Sequence, residues 1–215
     1  QKRGVRVNYF GHPLIDLYKN KVKSLPSKKI TLGIFPGSRK QELKKHLPII
    51  KKTIQLLKKK HANLHFVVGL ASETDQFIIK NLGLKSNYSS IVNNSIKAFN
   101  LSDIAIVASG TATLECAISK TPFLVIYKTS FFSWVLTSLF VKIKFASIVN
   151  ILANKLVVPE FLQSRCNAAS ISKEVTRLIV SDNKTFKKET EKIVGQLGCG
   201  LSYKKTSQFI LNNPL

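Results

Sequence analysis

An α/β fold with a Rossmann-like parallel sheet and flanking helices is predicted by three features of this 215-residue chain. Short apolar runs rich in β-branched residues alternate with helical patterns from residue 30 to residue 126. Two of those runs end in small-residue turns that open directly into helices, Pro36-Gly-Ser-Arg39 and Ala108-Ser-Gly-Thr111. A composition of 44% hydrophobic and 21% charged residues suits a packed core and excludes a disordered chain.

Residues 1–29 are basic and irregular, with turn formers at Gly11, Pro13 and Pro26, and read as a connecting segment. Strands are expected at 30–35, 64–68, 90–92, 104–107 and 123–126, with helices at 40–60, 73–82, 94–100 and 111–119. Strands separated by helices must return on the same side of their predecessors, which makes the sheet parallel. The helix at 40–60 carries Leu43, Leu47, Ile50, Ile54 and Leu57 at spacings of three and four, and lysines crowd its other face. That pattern also describes a helix lying on an anionic membrane, but it is read first as a sheet-covering helix with a solvated basic face. The sheet domain is expected to span 30–165. Residues 166–215 read as amphipathic helices through Val175, Leu178, Ile179, Ile193 and Leu197, packing on the domain or on a partner.

Residues 131–141 form a nearly uncharged apolar stretch holding the single Trp and flanked by Lys128, Lys142 and Lys144. At about eleven residues it is too short to span a bilayer, so it packs in a core or interface, or dips into a headgroup layer. The 34 Lys and Arg against 11 Asp and Glu leave a net charge of +23. Such a charge suits an anionic surface, or a basic but merely solvated exterior; no nucleic-acid module accompanies it, so nucleic acid is not an expected partner. Cys116, Cys166 and Cys199 have no metal-ligand spacing and suit reduced thiols in a cytoplasmic setting. Four histidines without HxH or HxxH spacing argue against zinc. Met is absent even at position 1, so the chain is expected to be part of a longer product.

The chemistry concentrates at the two strand–turn–helix junctions. The first N–H groups of a helix have no intrahelical partner and point, with the positive end of the helix dipole, at whatever fills the turn. In the second junction Ser109, Gly110 and Thr111 supply such a turn, and Glu115 lies one helical turn on, within reach of a sugar hydroxyl beside a bound phosphate. In the first, Gly37 and Ser38 offer donors and Arg39 can fork onto a diphosphate. Plain helix capping accounts equally for Ser109, Thr111 and Thr113, and Glu115 and Arg39 could be surface residues. His12 is a turn histidine or a site residue, and Asn150 is a buried amide that needs partners, from a ligand or from backbone. Two anion-binding turns together suggest a nucleotide-sugar site. Neither a Walker A motif, GxGxxG, a Ser-His-Asp pattern nor paired carboxylates at a useful spacing occur.

Five blocks, in order, resemble lipid-A-disaccharide synthase, a membrane-peripheral glycosyltransferase of the GT-B fold. They are Tyr9-Phe-Gly-His-Pro-Leu-Ile-Asp16, Ile34-Phe-Pro-Gly-Ser-Arg39 with Glu42, Ala108-Ser-Gly-Thr-Ala-Thr-Leu-Glu115, Pro122-Phe-Leu-Val-Ile-Tyr-Lys128, and Asn150-Ile-Leu-Ala153 with Val158-Pro-Glu-Phe-Leu-Gln163. The resemblance covers the C-terminal, nucleotide-binding half of that family. It implies transfer of 2,3-diacylglucosamine from its UDP derivative to 2,3-diacylglucosamine 1-phosphate, without metal or cofactor, at the cytoplasmic face of an anionic inner membrane. It implies that Arg39 contacts phosphate, that Ser109 to Thr111 cradle it, that Glu115 holds the ribose, and that Asn150 and Gln163 complete the pocket. Gly37, Ser38, Glu42 and His12 join the site by the same resemblance. The family's N-terminal half, with acceptor contacts and the general base, has no counterpart in these residues, so a homodimer or a separate N-terminal half is an expected partner. Val149 stands where the family usually has proline. Another UDP-sugar enzyme of the same architecture, a non-catalytic or relic UDP-sugar-binding fragment, and a basic membrane-surface protein without nucleotide affinity are the competing expectations.

Overall fold

The computed structural model describes residues 7–18, 29–70, 76–84, 88–92, 94–130 and 144–213. The apolar stretch at 131–141 therefore lies outside the described residues. Six parallel strands form one sheet: β1 (Thr31–Phe35), β2 (His65–Leu70), β3 (Tyr88–Val92), β4 (Ile104–Ala108), β5 (Phe123–Tyr127) and β6 (Glu160–Leu162), in the order β3-β2-β1-β4-β5-β6. The helices are α1 (Pro13–Tyr18), α2 (Lys40–Lys60), α3 (Gln76–Leu82), α4 (Ser95–Asn100), α5 (Thr111–Ile118), α6 (Ile148–Ala153), α7 (Ala168–Val180), α8 (Lys184–Gln196) and α9 (Ser202–Asn212). The five expected strands are present within two residues of the predicted ends. The sixth, β6, is only three residues long and follows Pro159, too short to leave an alternating pattern in the sequence.

Side-chain alternation along the strands divides the core into two layers. Leu32, Ile34, Phe66, Val68, Ile104, Ile106, Leu124 and Ile126 pack against α2, α3 and α7. Phe35, Val67, Ala105, Val107, Phe123 and Val125 face α4, α5, α6 and α8. The leucine and isoleucine stripe of α2 is buried as its spacing predicts, so this helix covers the sheet. Strands buried on both faces lose the polar alternation of a surface strand, which is why β1 and β4 read as continuous apolar runs.

On the second face, two glycines make room for an aromatic pair. Phe35 stacks on Phe99 with ring centroids 3.9 Å apart. A Cβ on Gly69 would sit 2.6 Å from the Phe35 ring, and one on Gly33 would sit 2.8 Å from Phe35 Cε2 and collide with Ser102 Oγ. Gly69→Ala is expected to cost about 1–3 kcal/mol through overpacking, read as a lowered urea midpoint with an unchanged slope.

Residues 7–18 cross to the C-terminal end of the chain. Phe10 packs on Phe209 at 5.3 Å, and Asp16 accepts from Ser202 N–H at 2.9 Å and Ser202 Oγ at 2.6 Å, and also from Leu201 N–H. Those donors hold the Asp16 carboxyl below the usual carboxylate range.

Candidate functional site

The strand order reverses between β1 and β4, since β1 leads on one side to β2 and β4 on the other to β5. The loops that leave these two adjacent strands diverge to opposite faces, opening a crevice at the carboxyl edge of the sheet. Phe35 and Val107 are in register at that edge, so the turns that follow them lie side by side. A cleft of about 560 Å³ occupies the crevice, lined by Gly37, Ser38, Arg39 and Glu42 from the first turn and by Ser109, Gly110, Thr111 and Glu115 from the second. The volume is within the range of small-molecule sites.

Each turn is shaped by one glycine. Gly37 has φ +98°, and a Cβ there would lie 2.9 Å from Glu42 Oε2. Gly110 has φ +151° and open space where a Cβ would stand, on the wall of the cleft. Both helices that follow start without a side-chain cap: Arg39 is the N-cap of α2 and Gly110 that of α5. In α5 the Thr113 N–H turns back to Gly110 O at 3.1 Å, which leaves the Thr111 and Ala112 amides, with those opening α2, for an occupant of the cleft. Arg39 is 82% exposed at the side chain and pairs with Glu42 at 3.1 Å. With its guanidinium so exposed, Arg39 contributes little to stability through this pair and stays available to an anion.

Glu115 Oε2 accepts from Tyr18 Oη at 3.2 Å and from Ser95 Oγ. Burial, and then the Glu115 charge, raise the Tyr18 phenol well above its ordinary value, so Tyr18 stays a proton donor. Thr113 Oγ1 donates to Gly110 O at 2.7 Å and Ser109 Oγ to Ala146 O at 2.6 Å, so these two hydroxyls stabilise the turn itself.

Three expected site residues do not line the cleft. Asn150 is fully buried in α6, and its amide is consumed by the chain: Nδ2 donates to Val158 O at 2.8 Å and to Glu160 Oε1 at 2.7 Å, while Oδ1 accepts from Val157 and Val158 N–H at 2.8 and 2.9 Å. With two donors and two acceptors used, this amide has no capacity left for a ligand, which corrects the expected contact. His12 accepts from Leu14 N–H at 3.2 Å through Nδ1 and donates its backbone N–H to Leu197 O at 2.7 Å, placing it at the start of α1 against the C-terminal region. Gln163 follows β6, and its Nε2 is buried without a hydrogen-bond partner among the described residues.

Two positioning residues escaped the sequence reading. His46, buried on α2, donates through Nδ1 to Pro36 O at 2.9 Å and accepts from Lys128 N–H through Nε2 at 3.1 Å. A carbonyl can only accept and an amide only donate, so the ring is neutral and protonated at Nδ1. It ties the Arg39 turn to the exit of β5. Glu160 accepts from Ala146 and Ser147 N–H, each at 2.8 Å, and so caps the entry to α6. Among the described residues no cluster of three His, Cys, Asp or Glu side chains could hold a metal ion, and no helix is long and apolar enough to cross a membrane.

The family model described as lipid-A-disaccharide synthetase matches residues 1–211. The chain belongs to that family. Curated lipid-A-disaccharide synthase relatives include one from Legionella pneumophila (strain Lens), 35% identical over 92% of this chain and 53% of its own length. Another, from Rickettsia prowazekii, is 35% identical over 92% of this chain and 55% of its own. The chain thus spans about half the length of the curated family members it matches. Solved structures share the fold. A point mutant of Staphylococcus aureus TarM, in complex with fondaparinux, alpha-GlcNAc-glycerol and UDP, has TM-score 0.55 at 14% identity over 87% of this chain and 37% of that one. UDP-GlcNAc 2-epimerase from Neisseria meningitidis, bound to UDP-GlcNAc, has TM-score 0.57 at 17% identity over 92% of this chain and 48% of that one. Their likeness to this family member lies in the parallel sheet and its flanking helices.

Proposed function

We propose that this chain is the nucleotide-binding half of a glycosyltransferase of lipid A biosynthesis, with UDP in the cleft between the β1 and β4 turns. The supporting observation is the meeting of two uncapped helix starts, two turn glycines and an exposed arginine in one cleft of about 560 Å³. The donor is UDP-2,3-diacylglucosamine and the acceptor 2,3-diacylglucosamine 1-phosphate. The bond between the anomeric carbon and the diphosphate oxygen breaks as the acceptor's 6-hydroxyl attacks that carbon. Arg39 and the first amides of α2 and α5 stabilise the negative charge that collects on the departing diphosphate. Glu115 takes the ribose hydroxyls. Both carboxylates in the cleft are already engaged, Glu42 by Arg39 and Glu115 by two hydroxyls, so neither is assigned as the base that removes the acceptor's proton. The net charge of +23 supports work at the cytoplasmic face of an anionic membrane.

Calorimetric titration with UDP tests the reading, with GMP as control. UDP is expected to bind selectively, and Arg39→Ala to weaken it by about 1.5–3 kcal/mol, the range for a hydrogen bond to a charged group. A folded chain that binds UDP and GMP alike, or neither, sinks the assignment.

A further inference from the structure

We propose that Tyr18 and Ser95 are positioning residues that hold the Glu115 carboxylate for the hydroxyl pair of a ribose, and so set the site's preference for ribonucleotides. The inference rests on the reading of the cleft as a UDP site.

Glu115 projects from the second turn of α5 into the cleft. A lone carboxylate on a short helix can rotate about its side-chain bonds, and ordering it on binding costs conformational entropy. Here two hydroxyls from separate elements remove that freedom: Tyr18 comes from α1 and Ser95 from the first position of α4, 97 and 20 residues distant along the chain. Both donate to the same oxygen, Oε2. Among the described residues Oε1 takes no such bond, so one face of the carboxylate stays available to an incoming donor. Two vicinal hydroxyls present a pair of donors that an acceptor-only carboxylate matches.

The three side chains are differently supported. Ser95 follows Asn94, whose side chain caps α4 by accepting from Lys97 N–H at 2.9 Å, so the serine is fixed at the mouth of the helix. Tyr18 is buried at the end of α1, and α1 is itself moored to α9 through Asp16. The C-terminal helix therefore reaches the nucleotide cleft through Asp16, α1 and Tyr18. Glu42, the other carboxylate of the cleft, pairs with Arg39 on the diphosphate side and leaves the ribose side to Glu115.

The test compares UDP with 2′-deoxy-UDP by calorimetry on the full chain and on Tyr18→Phe, Ser95→Ala and the double variant. Tyr18→Phe keeps the ring and removes only the hydroxyl, and thermal melts confirm that each variant is folded. The unaltered chain is expected to prefer UDP by about tenfold, the worth of one net hydrogen bond. In the double variant UDP affinity is expected to fall about tenfold while 2′-deoxy-UDP changes less than about twofold, erasing the preference. A purely structural role predicts equal losses for both nucleotides, and that outcome overturns the inference, as does a preference that survives both substitutions. Failure of the unaltered chain to bind either nucleotide overturns the reading of the cleft as well.

Discussion

Asn150→Ala is expected to destabilise the protein by about 3–5 kcal/mol, because it strands several buried groups at once. The substitution leaves the Val158 amide without its acceptor and the Val158 carbonyl without its donor, beside a side chain with no exposure to solvent, while the Val157 amide keeps only Lys155 O at 3.1 Å. Each such group costs about 1–3 kcal/mol, partly recovered as the loop relaxes toward water. The damage does not stop at the loop. Glu160 loses the Nδ2 donor that helps aim it at Ala146 and Ser147, and Ala146 O receives the hydroxyl of Ser109 on the cleft wall. Urea denaturation measures the loss, and hydrogen exchange at Val157 and Val158 locates it. Asn150→Asp is expected to be no better, since a carboxylate cannot donate to Val158 O and would face Glu160. An Asn150→Asp protein as stable as the parent would refute this account.

The contrast between Asn150 and Glu115 shows what the chain reveals about itself in sequence. Gly37, Gly110 and Glu115 sit within a few residues of a strand end, so local turn chemistry is enough to place them on one edge of the sheet. The neighbouring pair β1 and β4 then brings their turns together, a consequence of parallel topology that alternating strands and helices already announce. Asn150 lies within an apolar run, which signals burial and a need for partners but not their identity. Its partners are eight and ten residues on, in an irregular loop that ends in the three-residue β6. Tyr18 and Ser95 meet Glu115 from distant parts of the chain, and no spacing rule relates positions 18, 95 and 115. His12 follows the same logic in reverse: a histidine between Gly11 and Pro13 has the look of a site residue, whereas its place is decided by contacts near residue 197.

Stability is expected to fall as pH drops below about 6.5, and His46 is expected to account for much of that slope. Burial, opposed by its bond to Pro36 O and by the Glu42 charge, holds the His46 ring below the ordinary histidine range. An unfolded chain takes up this proton near pH ~6.5, while the folded one resists until lower pH. Across that interval the unfolded state binds more protons, so the contribution of neutral His46 is fully present above about pH 6.5 and is lost as pH falls through the folded value. Protonation puts a hydrogen on Nε2, which can then no longer accept from Lys128 N–H, and the exit of β5 separates from the Arg39 turn. His65, lowered by burial and by Lys29, adds a weaker slope of the same sign. Asp16, Glu189 and Glu191 are all held below the carboxylate range and act only at lower pH, so the histidine window is separable. His46→Ala is expected to lose about 2–4 kcal/mol at about pH 8, from the cavity and from two stranded backbone groups. Urea midpoints at several pH values between about 8 and about 5.5, for the parent and His46→Ala, measure both effects. The variant should start lower and change less with pH, because the ring that resists protonation is gone. Parallel pH profiles for the two proteins would show that His46 is not the group that titrates. A small loss at the alkaline end would show that the bridge between Pro36 and Lys128 contributes little to the fold.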